Sequence, residues 1–204
     1  MKRLVVVGAG GHAKVVIATA LAAGWEIAEV LDDDPARHGE VLLGYRVAGA
    51  TESRLRDPDA TCVIAIGSNK TRRRVAGGAR CRFATLVHPT AHVHESVQLG
   101  AGTVIFAGVV IQPAVRIGSQ VIVNTAASID HDCTLGEAVH VAPGARLAGG
   151  VYVGDETLFG IGAVAIPSVR IGERSIVGAG AVVVRDVPPD VVVTGAPARP
   201  GGSR

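Results

Sequence analysis

A six-residue spacing of aliphatic positions dominates the second half of the sequence. From Val87, steps of six residues as far as Val183 land on Val, Ile or Leu, except at Phe159 and Ala165. The fourth residue after each of these positions is small or β-branched, and no insertion interrupts the register. Neither the 3.6-residue period of a helix nor the two-residue period of an ordinary strand gives this spacing. It predicts short strands joined by turns, in the stacked coils of a solenoid.

A second, eighteen-residue period lies over the first. Three hexads therefore make one coil with three flat sides, and the large aliphatic side chains of successive coils stack inside a prism. We expect little room for rings in this prism, which agrees with an aromatic content of 3%. A flat side is commonly buried by self-association, so three sides favour a threefold assembly. The longer period is marked by glycine after every third aliphatic position, at Gly100, Gly118, Gly136, Gly154 and Gly172.

The first 86 residues follow a different pattern, in which apolar runs alternate with helical periodicity. This alternation predicts a small α/β unit with a parallel sheet. We expect a helix after the first run, ending at Gly24, and a second, shorter helix after the third run. The predicted strands cover residues 4–7, 27–31, 62–66 and 82–87, and the second helix covers 71–76.

The ends of these strands carry residues that are typical of a nucleotide site. The string GAGGHA at residues 8–13 matches the GxGxxA form of the dinucleotide fingerprint. Asp32 or Asp33 lies where an acidic residue contacts a ribose hydroxyl. About 85 residues suffice for roughly one mononucleotide-binding half, which favours a mononucleotide-bearing ligand over NAD. Alternatively, the glycines serve only a tight turn and close helix packing.

Composition and charge limit the possible functions. Hydrophobic residues make up 48% of the 204 residues and the mean hydropathy is +0.38, values that exclude a disordered chain. The net charge of +2 and the scarcity of aromatic residues give no reason to expect a nucleic acid partner. The uncharged stretch at residues 96–115 contains glycines, Pro113 and polar residues, so we predict no membrane span. Three cysteines without metal-binding spacing favour the reducing cytoplasm.

The hexads resemble those of the hexapeptide-repeat acyltransferases. In chain order, GAGGHAKVV, LDDD, IAIGSN, IDHDCTLGEAVHVAPGA and VTGAPAR are similar to motifs of the nucleotide-sugar N-acetyltransferases that act on 4-amino-4,6-dideoxy sugars, and of their sialic acid O-acetyltransferase relatives. The resemblance covers the whole chain. It implies an α/β plus β fold class, with a small Rossmann-like βαβ domain followed by a left-handed parallel β-helix, in a homotrimer whose active sites lie between subunits. The implied divisions are a nucleotide-sugar-binding domain (1–86), an acetyltransferase domain (87–188) and a C-terminal tail (189–204).

The resemblance also implies roles for individual residues. His131 and Asp132 fall at the third and fourth positions of their hexad, which should point outward at a corner, and a histidine beside a carboxylate suits a general base. By the resemblance, His131 would deprotonate the sugar amine for direct attack on the thioester of acetyl-coenzyme A, and Asp132 stands where the family usually has Glu. The nucleotide sugar would contact Gly10, Gly11, His12, Asp32, Asp33 and Gly67. Acetyl-coenzyme A would contact Asn124, His140, Gly149, Ile161 and Ala179.

Other functions stay open on the sequence. An O-acetyltransferase of sialic acid or of a surface glycan would use the same base on a hydroxyl group, and a non-catalytic scaffold would bind a nucleotide sugar without coenzyme A. The zinc site of trimeric β-helix carbonic anhydrases has two histidines five residues apart, a spacing that is absent among the seven histidines here, so we expect no metal. An acyl-cysteine is not expected either, because Cys133 falls on an inward position. UDP and GDP, and the stereochemistry of the sugar, are not distinguished.

Overall fold

The N-terminal part of the structure is a parallel sheet flanked by helices. The computed structural model describes residues 2–201; Met1 and the end of the predicted tail, 202–204, lie outside the described residues. The elements are β1 (Lys2–Val7), α1 (Gly11–Ala22), β2 (Trp25–Leu31), a 3₁₀ turn (Pro35–Arg37), β3 (Val41–Leu42), β4 (Tyr45–Arg46), α2 (Glu52–Leu55), β5 (Thr61–Ile64), α3 (Asn69–Gly77) and β6 (Arg82–Phe83). In the order β2-β1-β5-β6, four of these strands form one parallel sheet.

The predicted strands and helices of this unit are found within a few residues of their expected bounds, with one error. The prediction of a single strand over 82–87 is wrong. β6 completes the parallel sheet, whereas Leu86 and Val87 belong to the solenoid, where the Leu86 N–H donates to the Thr103 carbonyl at 2.9 Å. The chain therefore passes from one sheet to the other between Phe83 and Leu86, a change that a continuous apolar run does not reveal.

From Leu86 onward the chain is a parallel β-helix of two-residue strands. From Leu86–Val87 to Val164–Ala165, each strand pairs with the strand three places further along the chain, as Val104 pairs with Ile122 and Ile122 with His140. This pairing confirms the predicted coil of three hexads. The strands are β7 (Leu86–Val87), β8 (His92–Val93), β9 (Gln98–Leu99), β10 (Val104–Ile105), β11 (Val110–Ile111), β12 (Arg116–Ile117), β13 (Ile122–Val123), β14 (Ser128–Ile129), β15 (Thr134–Leu135), β16 (His140–Val141), β17 (Arg146–Leu147), β18 (Tyr152–Val153), β19 (Leu158–Phe159), β20 (Val164–Ala165), β21 (Arg170–Ile171), β22 (Ile176–Val177), β23 (Val182–Val183), β24 (Val192–Thr194) and β25 (Arg199–Pro200).

These strands form the three faces of a prism. The first face contains β7, β10, β13, β16, β19 and β22 and is extended by β24 and the antiparallel β25; the second contains β8, β11, β14, β17, β20 and β23; the third contains β9, β12, β15, β18 and β21. We call the turns that follow strands of the first, second and third faces the first, second and third corners. Positions on the same corner or face recur at intervals of eighteen residues.

The interior of the prism is built from the predicted aliphatic positions, which form one buried cluster. A ring does fit inside it, because Phe159 is fully buried in this cluster. Its successor in the six-residue series is Ala165, a smaller residue than the aliphatics elsewhere in the series. The two exceptions to the Val, Ile and Leu pattern are therefore consecutive in the series, and both belong to the same buried cluster.

The glycines of the eighteen-residue period lie where successive coils touch. A Cβ on Gly100 would lie 2.4 Å from the Gly118 backbone, and a Cβ on Gly172 would lie 2.3 Å from Pro189. Close approach of the backbones at the third corner thus requires glycine. Left-handed backbone angles occur instead three residues after each aliphatic position, from Gly102 (φ 73°) to Gly180 (φ 66°), and Asp132 (φ 60°) is one of these residues.

The N-terminal unit packs on the first face of the prism. The outward side chains of Leu86, Val104 and Ile122 are almost fully buried in a cluster that includes α1 and Phe106. The next outward residue along this face is His140. This junction places the crevice of the N-terminal sheet beside His140. Over residues 2–201, no helix is both long and apolar enough to cross a membrane.

Candidate active site

His131 and Asp132 lie in the turn that follows β14, on the second corner, and point into solvent. Their side chains are 60% and 66% exposed. The left-handed backbone of Asp132 turns its carboxylate back toward the ring, and Oδ2 lies 2.7 Å from His131 Nδ1. A carboxylate only accepts hydrogen bonds, so Nδ1 carries the proton and Nε2 is the basic nitrogen. The predicted pair is therefore arranged as a base with its orienting acid.

The carboxylates around His131 strengthen it as a base. They raise its pKa above the ordinary value of 6.5, chiefly through the hydrogen bond to Asp132 and then through the charge of Asp130. Asp130 Oδ1 also accepts the backbone N–H of His131 at 2.8 Å, which fixes the start of the turn. Asp132, although shorter than the Glu of the family, reaches the ring directly.

Gly149 lies one coil beyond His131 on the same corner and supports the imidazole. A Cβ at this position would lie 2.6 Å from His131 Cε1 and 2.7 Å from Nε2. The Gly150 N–H donates to the His131 carbonyl at 2.8 Å, which ties the two coils together. Only glycine at this position leaves room for the His131 ring in its present orientation. The resemblance assigns Gly149 to the coenzyme and does not imply this contact with His131.

A second cluster forms at the junction of the two units. Asn124 Nδ2 donates to His140 Nε2 at 3.1 Å, and the orientation of the amide is fixed because Asn124 Oδ1 accepts the Thr125 N–H at 2.8 Å. The ring of His12, in the first turn of α1, lies 6.2 Å from that of His140 and 5.5 Å from that of Phe106 between centroids. A predicted substrate residue and two predicted coenzyme residues thus meet in one place.

The junction histidines are held neutral. Burial lowers the pKa of both His12 and His140 to about 4, and the charge of Arg72 acts in the same direction. The neighbouring His12 also lowers the pKa of His140. Within residues 2–201, the buried Nε2 of His12 has no hydrogen-bond partner. A buried polar atom of this kind is suited to a ligand that supplies the missing bond.

The crevice at the carboxyl ends of the N-terminal strands is lined by open backbone. A Cβ on Gly10, Gly11 or Gly67 would meet nothing within 4 Å, so a ligand has access to these three positions. Gly10 precedes α1 and Gly67 precedes α3, so that both helix amino termini face the crevice. Helix amino termini favour negatively charged groups such as phosphate.

The two predicted ribose-binding carboxylates already have partners within the protein. Asp32 accepts the N–H groups of Ala9 at 2.7 Å and Asp34 at 2.9 Å. Asp33 Oδ1 accepts both the backbone N–H and the hydroxyl of Thr51, at 2.9 and 2.8 Å. Both acids therefore brace the loops of the crevice, and their contact with a ribose stays a prediction.

The first corner presents the remaining predicted coenzyme residues. Ile161 and Ala179 occupy equivalent positions one coil apart, and both are exposed; Ile161 has 61% of its surface in solvent. Gly162 and Gly180 follow them with positive φ, which keeps the turns narrow. An exposed aliphatic strip with small neighbours fits a thin, partly apolar chain such as pantetheine.

Within one chain, the predicted residues form two groups that do not meet. His131, Asp132 and Gly149 are on the second corner, whereas His140 is on the first face beside His12 and Asn124. His131 and His140 are half a coil apart, on different sides of the prism. A cavity of about 900 Å³ opens beside the junction, lined in part by Gly67, Lys70, His140 and Leu158.

The chemistry of other candidate groups is restricted. Cys133 is fully buried as predicted, and burial raises the pKa of its thiol to about 11, which makes it a poor nucleophile. In the described part of the chain, no cluster of three or more His, Cys, Asp or Glu side chains could hold a metal ion.

Arg72, which was not predicted as a functional residue, is buried between α3 and the solenoid.

Comparison with known proteins relates both units to sugar acetyltransferases. Residues 3–78 match the family described as PglD N-terminal domain. A UDP-N-acetylbacillosamine N-acetyltransferase of Bacillus subtilis is 41% identical over 113 residues, a match that spans about half of each protein (52%). A histidine-to-asparagine mutant of perosamine N-acetyltransferase from Caulobacter crescentus, solved with CoA and GDP-perosamine, has a TM-score of 0.90 and 42% identity over 99% of this chain and 98% of that one.

A third relative agrees with these two. The acetyltransferase domain of PglB from Neisseria gonorrhoeae, in complex with acetyl coenzyme A, superposes with a TM-score of 0.91 and 38% identity, over 98% of this chain and 99% of that one. These matches confirm the predicted fold class, a small Rossmann-like domain followed by a left-handed parallel β-helix.

Proposed function

The chain belongs to the family of left-handed β-helix nucleotide-sugar N-acetyltransferases with a PglD-type N-terminal domain, and from this premise we propose that it acetylates the 4-amino group of a UDP- or GDP-linked 4-amino-4,6-dideoxy sugar. It is an acyltransferase, and acetyl-coenzyme A supplies the activated acetyl group. The observation that carries the proposal is the His131–Asp132 pair, with Nδ1 bonded to the carboxylate and Nε2 oriented as the acceptor.

In the proposed mechanism, His131 is the general base. Its Nε2 takes the proton from the sugar amine as the amine nitrogen bonds to the thioester carbonyl carbon; the carbon–sulfur bond then breaks and the thiolate takes up a proton. Asp132 holds the imidazole in the required tautomer and stabilises the imidazolium that forms, by the hydrogen bond already present. Gly149 keeps the ring in place from the adjacent coil.

The junction cluster has the complementary role of binding. Neutral His140, oriented by Asn124, would pack against the coenzyme, and His12 would offer Nε2 to the sugar nucleotide. The backbone at Gly10, Gly11 and Gly67 would receive the phosphates and the sugar. The base or ribose would contact Asp32 and Asp33, and the pantetheine chain would follow Gly149, Ile161 and Ala179.

We propose that the complete site lies between subunits of a homotrimer. The separation of the two groups of residues within one chain supports this, because the base of one copy can reach the binding cluster only of another. In this assignment residues 1–86 bind the nucleotide sugar, 87–188 form the acetyltransferase domain and 189–204 the tail. The three cysteines are unpaired and buried, which supports location in the reducing cytoplasm.

The function is tested by thiol release from acetyl-coenzyme A with UDP- and GDP-linked 4-amino sugars and free sialic acid as acceptors. We expect transfer to one of the nucleotide-linked amino sugars and a loss of about 10² or more in kcat/KM in His131→Ala, with the assembly retained. His92→Ala, an exposed histidine on β8, is the control and should match the wild type. Near wild-type kcat/KM in His131→Ala would refute the mechanism, and acetylation of sialic acid alone would refute the substrate.

A further inference from the structure

Arg72, in the middle of α3, is among the largest fully buried side chains of the described residues, with 1% of its surface exposed. On its solenoid side the guanidinium donates to carbonyl oxygens in the third-corner turns of two successive coils. Nε donates to Gln120 at 2.6 Å, and Nη2 donates to Ala138 at 2.8 Å and Val139 at 3.3 Å. Val139 directly precedes His140, so Arg72 holds the backbone from which that histidine projects.

On its other side, the same guanidinium holds the turn before α3. Nη1 donates to the carbonyls of Ile66 at 3.0 Å and Gly67 at 3.2 Å, and Nη2 donates to Asn69 Oδ1 at 2.9 Å. Gly67 lines the crevice, and it lines the same cavity as His140. A single planar group therefore connects the crevice turn to the coil of His140.

This arrangement is costly unless it is complete. A buried cation loses the favourable free energy of its hydration. A guanidinium offsets this loss only where its planar N–H donors all meet hydrogen-bond acceptors. All three nitrogens of Arg72 are bonded, mostly to carbonyl oxygens at the junction. Burial lowers its pKa to about 10, so it stays charged at neutral pH.

We propose that Arg72 is a positioning residue of the transferase, which fixes the crevice turn at residues 66–67 relative to His140 and so aligns the nucleotide sugar with the coenzyme. This inference rests on the proposed function. A lysine cannot replace the guanidinium, because one ammonium group does not span carbonyls on both sides of the junction. Small misplacements of reacting groups are sufficient to slow a reaction strongly.

The charge of Arg72 has a second effect at the junction. It disfavours protonation of both His12 and His140, in addition to the effect of burial. Asn124, the neutral partner of His140, contributes no charge. The other charged groups at the cavity that His140 lines are Lys70, Arg73, Arg74, Glu156, Arg174 and Asp190.

The test compares Arg72→Lys and Arg72→Met with Arg73→Met. Arg73 attaches the same helix to the same solenoid through ion pairs with Glu137, Asp155 and Glu156, so its loss controls for a purely structural effect. The pKa values of His12 and His140 are measured by NMR on ¹⁵N-histidine-labelled protein without substrates. The thermal midpoint, kcat and KM are measured on the same samples with a UDP- or GDP-linked amino sugar.

We expect kcat to fall about tenfold or more in both Arg72 variants relative to Arg73→Met at a similar thermal midpoint. The histidine pKa values should rise in Arg72→Met, stay low in Arg72→Lys, which keeps the charge, and stay unchanged in Arg73→Met. A kcat within twofold of that of Arg73→Met in both Arg72 variants would overturn the positioning role. Unchanged histidine pKa values in Arg72→Met would overturn the effect of the Arg72 charge on the junction histidines, a readout that is independent of substrate. Wild-type protein inactive with both nucleotide-linked sugars would instead overturn the proposed function.

Discussion

The two histidine clusters use the same side chain in opposite environments. His131 stands in solvent among carboxylates, which raise its pKa, whereas His12 and His140 are packed at the junction beside Arg72, where burial lowers theirs. The first environment stabilises the protonated form that a general base acquires during the reaction. The second favours a neutral ring that serves as a hydrogen-bonding surface. The difference supports the proposal that His131 transfers the proton and that the junction cluster binds.

Among the substitutions that test this contrast, Asp132→Asn is expected to have the largest effect on activity. Loss of the carboxylate lowers the pKa of His131 and removes the acceptor that fixes its tautomer, so kcat/KM should fall about 10²-fold. In the wild type, kcat/KM falls as the pH drops through a pKa above 6.5, because the base becomes protonated. This acid limb should move to lower pH in Asp132→Asn and stay in place in Asp132→Glu. An unchanged pH profile in Asp132→Asn would contradict the role of the carboxylate.

A smaller effect is expected from Gly149→Ala. The added methyl group occupies the space of the His131 ring and turns the imidazole away, so kcat should fall about tenfold with little change in KM for the nucleotide sugar. The control is the same substitution in a His131→Ala background, where the two losses should not add. Full additivity would show that Gly149 acts independently of the histidine.

The smallest effect concerns stability. His12 and His140 have a lower pKa folded than unfolded, so their neutral forms stabilise the fold above pH 6.5, and this contribution is lost as the pH falls toward 4. The thermal midpoint should drop by several degrees between pH 7 and 5, and by less in His140→Asn. The contribution of His131 to stability has the opposite pH dependence, since its raised pKa means that the contribution is lost as the pH rises. This contribution is small because the side chain is exposed to solvent. A steeper drop in His140→Asn than in His92→Asn would contradict this account.

Features set by the six-residue register could be predicted from the sequence, whereas features set by contacts between distant residues could not. The six-residue register predicts the prism and places His131 and Asp132 outward, because a strict period leaves few choices for each side chain. It does not predict Arg72, which lies in the polar string TRRRVA and is buried where carbonyl oxygens of the third corner accept its hydrogen bonds. The strand break after Phe83 and the internal partners of Asp32 and Asp33 depend likewise on contacts distant in sequence.

The central claim is that the base and the binding cluster of one site come from different copies of the chain. Co-expression of His131→Ala chains with chains carrying both His12→Ala and His140→Ala tests it, since each parent alone should be inactive. In random trimers, about a quarter of the sites combine an intact base with an intact binding cluster, so about a quarter of the wild-type activity should return. Mixed assemblies no more active than the sum of the two parents would contradict a site between subunits.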